Sequence, residues 1–303
     1  TSTIDGDAYN MSLISGKATT TVSALASDLG TVTIQANNPI STGTVSFNSG
    51  LSALELLTNS RPYALSITGA GLVTSNTLLL NTGGVTLGGG QVFTGGLTST
   101  SSTNTITGNV STTNTALTLG VTNVTGDATL ASGSGAMTLG ATTIQDGATL
   151  TVGTGGSSNV TVASLAGVGG GATSNATFNV TGVVDVQGSV GTDFGTLTVN
   201  NSAGTTFQGA VTAANVALNA TTGTIAFNNN LTATDLSAAA GNFNLAFNGS
   251  NTSVTNAVTL ANTGTVTLGN ASTDALAFTR SQLRENFSNI ACVLDRKSTR
   301  LNS

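Results

Sequence analysis

Histidine and tryptophan do not occur in this sequence, cysteine occurs once and proline twice. Each absence closes off chemistry. Without histidine there is no Ser–His relay, and without a Cys or His cluster there is no zinc site. The lone Cys292 cannot form an intrachain disulfide. Charge is nearly as scarce: 6% of residues are Asp, Glu, Lys or Arg, against about 25% in ordinary soluble domains. No Lys or Arg lies between Arg61 and Arg280, an interval that holds Asp127, Asp146, Asp185, Asp193, Asp235 and Asp274. Binding a nucleic acid takes cations to neutralise its phosphates, so nucleic acid is excluded as a partner. An anionic membrane surface is disfavoured on the same ground. No apolar run reaches eighteen residues, so this segment is not expected to enter a membrane as a helix.

What the chain does contain argues for order. Hydrophobic residues make up 38% of it, with Val and Thr abundant, whereas disorder couples high charge to low hydrophobicity. The 39 glycines do not recur at every third position, which excludes collagen. From about Gly30 onward, four to six residues of apolar/polar alternation are followed by Gly, Asn or Ser, and then by alternation again. TVTIQ (31–35), TVSF (44–47), VTLG (85–88), TLTV (196–199) and IAFN (225–228) are of this kind. Helix signals are confined to LSALELL (51–57) and DLSAAAG (235–241).

The alternation is itself periodic. ALTLGVTNVTGDATLASGSG (116–135) is followed at once by AMTLGATTIQDGATLTVGTG (136–155), with ten of twenty aligned positions identical. FQGAVTAANVALNATTGTIAFN (207–228) lies over FNNNLTATDLSAAAGNFNLAFN (227–248) at the same offset. A longer echo, NTGGVTLGG (81–89) and NTGTVTLGN (262–270), spans about nine such units.

A strand rises about 3.3 Å per residue, so twenty residues suffice for three short strands and their turns, closing one lap and climbing about 4.8 Å. The expected fold is all-β: a single-stranded parallel β-helix, or β-solenoid, of about 20 residues per coil. Leu119 should stack on Leu139, Val124 on Ile144 and Leu130 on Leu150, with Thr, Ser and Asn outward and Gly at corners needing positive φ. About fourteen coils would make a rod on the order of 65 Å long.

Runs such as GDATLASGSGAMTLGATTIQDGATLTVGTGG and VTNAVTLANTGTVTLGN resemble the β-strand-repeat regions of large bacterial surface proteins, the filamentous-haemagglutinin-like and autotransporter-passenger families. The resemblance covers roughly residues 30–279 and is one of repeat style. It implies a right-handed parallel β-helix, export to the bacterial cell surface through an outer-membrane translocator, and an extracellular ligand such as a glycan or surface protein. DRKSTRLNS (295–303) resembles a translated sequencing-library adapter and is set aside; without its one acid and three cations the formal charge goes from −5 to −7. The chain opens on Thr1 and reads as a piece of a longer protein. The expected organisation is an irregular start or partial coils (1–29), the solenoid (30–279), a degenerate end of the repeat (280–294) and the adapter-like tail (295–303).

Candidate chemistry is thin. A Ser–Lys catalyst would depend on Lys17, isolated in the ragged start. GVGGG (167–171) and GGGQ (88–91) lack the GxGxxG order of a dinucleotide loop and read as corners. Asp127 and Asp146, nineteen apart, would each neighbour the other's glycine on adjacent coils, where they could share Ca²⁺ or form a glycosidase pair; a solvated turn is the plainer reading. Phe207, Phe227 and Phe247 recur at twenty and should stack, inward as core or outward as a sugar-binding ladder. Asn228 and Asn248 should form an amide ladder. The Thr columns Thr118/Thr138, Thr129/Thr149 and Thr212/Thr232 are single, whereas ice binding would want them doubled. No catalytic, cofactor-binding or metal-ligating residue is assigned and no cofactor is expected. The function expected is a non-catalytic stalk or adhesin-like rod; the alternatives are a carbohydrate-active β-helix hydrolase or lyase and an ice-binding solenoid.

Overall fold

The computed structural model describes residues 3–279 and 290–291. Among them there is no helix; thirty-three strands, from Thr3–Asp5 to Ile290–Ala291, pair exclusively in parallel with strands one turn away. The chain winds through about 13 turns of roughly 21 residues, which sets a length of about 60 Å at one strand spacing per turn. Each turn has three sides. Side one carries the inward column Val45–Leu65–Val85–Asn104–Thr122–Thr142–Leu165. Side two carries Gln91–Val110–Leu130–Val152–Phe178–Val199–Leu218. Side three carries Leu97–Leu117–Met137–Val160–Val184 and, two residues on, Leu119–Leu139–Val162–Val186–Phe207–Phe227–Phe247. These columns meet in one continuous buried core, as stacked repeats require when no single lap can bury its own apolar face.

Leu119 registers with Leu139 and Val124 with Ile144, as the repeat predicts. Leu130 does not register with Leu150. Ala128 pairs with Leu150, Thr129 with Thr151 and Leu130 with Val152. The Gln145–Ala148 turn, closed by the Ala148 N–H donating to the Gln145 carbonyl at 3.0 Å, adds two residues to the lap. Because side chains alternate with period two, an even slip leaves every residue on its own face. Elsewhere the step between partners runs from 18 (Asn104 to Thr122) to 26 (Thr149 to Asn175). Pairing begins with Thr3 against Leu25. Most of the expected degenerate end and all of the adapter-like tail lie outside the described residues.

Both helix-like segments are strands. LSALELL lies in Leu51–Thr58, and DLSA ends Leu231–Ala238. Ala53 registers with Leu29 below and Val73 above, and Leu236 with Val216 and Val258. Extended neighbours on both sides satisfy the backbone only if the segment is extended too, and this overrides its propensity. The glycines also differ from expectation, since only twelve have positive φ. Most serve close approach between laps. A Cβ at Gly135 would collide with the Thr115 carbonyl, and one at Gly140 would lie 2.6 Å from the Gly120 carbonyl carbon.

Not every polar residue faces out. Thr122 and Thr142 are buried, and their hydroxyls donate to the Gly120 and Gly140 carbonyls at 2.9 and 3.0 Å. The repeated LGxT is thus a corner device in which an inward hydroxyl satisfies a carbonyl at the bend. The long echo is another. Asn81 Nδ2 donates to the Tyr63 and Gly84 carbonyls, and Asn262 Nδ2 to those of Phe243 and Gly264. The strand after Asn81, Val85–Leu87, lies on side one, whereas Val266–Leu268 lies on side three. The echo therefore spans eight laps and two further sides rather than nine laps, and what it repeats is one side with its corner.

Candidate functional site

Asp127 and Asp146 turn to different places. An Asp127 carboxylate oxygen accepts the Thr149 N–H at 2.9 Å, one turn above. The Asp146 carboxylate lies against Gly171, in the loop of the turn above its own. Asp127 has uncharged counterparts. Asn109 accepts from Thr129 N–H at 3.1 Å, Asn159 from Val183 N–H at 3.0 Å, Asn175 from Thr196 N–H at 2.8 Å and Asn244 from Thr265 N–H at 2.8 Å. Each caps the strand above at or near its start, Thr196 being the third residue of Phe194–Ser202, the solenoid's version of an Asx cap. Sequence reading misses these caps because donor and acceptor lie 20 to 24 residues apart at a step that varies from turn to turn; the available signal is an Asn or Asp immediately before a strand, as at Asn109, Asp127 and Asn159, or in its first two residues, as at Asn175 and Asn244.

Lys17 is exposed at a bend, and the buried Ser15 hydroxyl is directed to the Gly16 and Gly43 carbonyls, so no Ser–Lys relay is built there. GGGQ and GVGGG both form the corner between sides one and two, the former with Gly89 and Gly90 at φ +67° and +85°. No group of three or more His, Cys, Asp or Glu that could hold a metal occurs among the described residues.

The aromatic column faces inward. Phe207, Phe227 and Phe247 are buried, with stacked centroids 5.0 and 5.5 Å apart, and Phe178 meets Phe207 edge-on at 6.4 Å. Immediately outside it runs the amide ladder, longer than expected. Asn248 Nδ2 donates to Asn228 Oδ1 at 3.0 Å, Asn228 Nδ2 to Gln208 Oε1 at 2.8 Å, and Gln208 Nε2 to the Asp185 carboxylate at 3.2 Å. All three bonds run the same way and end on a formal charge, the arrangement in which neighbouring hydrogen bonds polarise one another. A second ladder joins Asn219, Asn200 and Asn179 at 3.3 and 3.4 Å.

Threonine columns stand on the outer surface. Thr98, Thr118, Thr138 and Thr161 register over four turns of side three, and Thr129, Thr151, Thr177 and Thr198 over four turns of side two. On side three the second position of the row is Gly120 and Gly140, so the hydroxyls there are not doubled. One open groove, about 510 Å³, crosses three turns of side two at its corner with side three. Asn109, Ser111, Thr113, Asn114, Thr129 and Thr154 line it, and no lining residue is ionisable or aromatic. Compared with known proteins, the chain matches no family model, no curated protein and no solved structure.

Proposed function

We propose that this chain is a length of an exported bacterial cell-surface protein of the filamentous-haemagglutinin-like or autotransporter-passenger kind, serving as an extended, non-catalytic stalk that presents binding surfaces. The observation that supports the reading is the continuous parallel register of the laps from Thr3 onward, walled by short, mostly uncharged side chains. A structure bonded strand to strand along its axis transmits load through many hydrogen bonds at once. That one Asp127 oxygen caps the Thr149 strand while the Asp146 carboxylate lies against Gly171 favours turn roles for the two acids over a glycosidase pair.

Two measurements test the proposal. Negative-stain electron microscopy of residues 1–279 should show rods about 60 Å long, and globular particles would end the stalk reading. Antibody labelling of intact cells producing the complete reading frame should stain the surface; labelling only after lysis would overturn export.

A further inference from the structure

We propose that the groove on side two is a subsite for a neutral glycan, which rests on the stalk reading and names the chemistry of what the stalk would hold. The groove follows from the sequence of one outward column. Leu72, Val92, Ser111 and Ala131 stack in register on successive turns, and Gly153 continues them by donating its N–H to the Leu130 carbonyl at 2.7 Å. Side-chain volume thus falls from Leu72 to Ala131, and the surface sinks over Ser111 and Ala131; one lap on, Gly153 is buried, the space a Cβ would take being filled by Asn179 and Val180.

The rim of this dent carries polar groups that the fold leaves unused. Asn109 Oδ1 is held by the Thr129 N–H at 3.1 Å and Asn114 Oδ1 by the Ser134 N–H at 3.0 Å. Fixing the oxygen fixes the amide plane, and neither Nδ2 has a partner among the described residues. The hydroxyls of Ser111, Thr113, Thr129 and Thr154 are likewise unpartnered, whereas the buried Thr112 hydroxyl is taken by the Thr115 carbonyl at 2.5 Å. The ladder amides differ, since Asn228 and Asn248 spend their Nδ2 donors on the turn below.

Two oriented amide donors and four hydroxyls, able to donate and accept, suit a ligand that offers both in quantity and carries no charge. No cation is present to meet a phosphate or carboxylate and no acid to meet an amine. No large apolar side chain lines the groove to receive one from a peptide. A polyhydroxylated sugar meets every condition. Three turns span about 10 Å along the rod, room for two sugar units. With no aromatic platform the single site is weak, with a Kd of about 1 mM, worth about 4 kcal/mol.

Saturation-transfer NMR with neutral glucose, galactose and mannose oligosaccharides, and a polyuronate for comparison, tests the proposal. Binding of at least one neutral oligosaccharide over the polyuronate is expected. The pair Asn109→Asp and Asn114→Asp keeps both cap oxygens and removes both donors, so it should weaken binding at least fivefold with the melting temperature held. Ser111→Trp should abolish binding by filling the dent, while Thr138→Val on side three should leave it intact. Absence of binding to every neutral oligosaccharide, preference for the polyuronate, or binding unchanged in the Asp pair and in Ser111→Trp would each overturn the subsite. The rod seen by microscopy is read independently, so loss of the subsite and loss of the stalk are separable.

Discussion

Phe227 lies between two parallel rings at interplanar angles of 12° and 1°, with every face of its own ring occupied. Its neighbours are fixed by hydrogen-bonded laps and cannot close on a void, so Phe227→Ala should cost about 3–5 kcal/mol in urea denaturation. Phe227→Leu, which keeps most of the volume, should cost clearly less. Tyr63 is the other buried aromatic with a decided role. Its hydroxyl donates to the Ile34 carbonyl at 2.8 Å and accepts the Asn59 N–H at 3.2 Å. Burial raises its pKa above the ordinary 10.0, hydrogen bonds from Asn59 and Thr58 opposing the rise. A raised folded pKa means that the phenol's contribution is complete below pH 10 and is lost as pH climbs through the folded value. Melting temperature measured against pH should therefore fall on the alkaline side in the parent, and Tyr63→Phe should flatten that fall. At neutral pH the same variant should lose about 1–3 kcal/mol, because the Ile34 carbonyl and Asn59 N–H are left unpaired.

At the scale of the element, corners rather than sides decide the path of the chain. Met137–Ile144 turns from side three to side one as one strand, while Leu117–Leu119 and Thr122–Val124 make the same bend as two strands. Gly140 stands at that bend pressed on Gly120, and Gly126 stands where an added Cβ meets nothing within 4 Å. Gly140→Ala should therefore destabilise the fold, whereas Gly126→Ala should be neutral or slightly stabilising through reduced unfolded-state entropy; paired chemical denaturation curves check the contrast. The side-to-side pattern was open to reading because inward Leu119 and Leu139 sit twenty apart in matching contexts. The corners were not. The two-residue insertion at Gln145–Ala148 leaves alternation intact, so nothing in the hydropathy reveals that Leu130 has moved on to Val152. Nor could the groove be foreseen, since it depends on the taper from Leu72 to Ala131, whose members are not adjacent in sequence.

For the whole molecule, scarcity of charge has a practical outcome. With no Lys or Arg from 62 to 279, trypsin should leave that stretch as one fragment even in strong denaturant. Trypsin resistance alone is then no measure of folding. Chymotrypsin is the informative enzyme, because Phe207, Phe227 and Phe247 are inside. The same stretch should survive it below the unfolding transition and be shredded above it, with gel electrophoresis as the readout. The surface is also uneven along the axis. Among the described residues, the large apolar side chains standing out into solvent in the first four laps are Ile4, Tyr9, Ile14, Ile40, Leu54, Leu57, Leu72 and Leu78, and beyond them only Val121 and Val183. The later laps are faced mainly with Thr, Asn and Ala.

The Asn81 and Asn262 motifs carry a consequence for how such a chain can lengthen. The same local segment serves at two different vertices of the triangle, so the quantum of growth is a third of a revolution. A duplication or deletion of one edge rotates everything that follows by one vertex, yet leaves each residue facing the interior or the solvent as before. Homologous rods could therefore differ in length by fractions of a circuit, with their outer columns displaced around the axis like the threads of a re-cut screw.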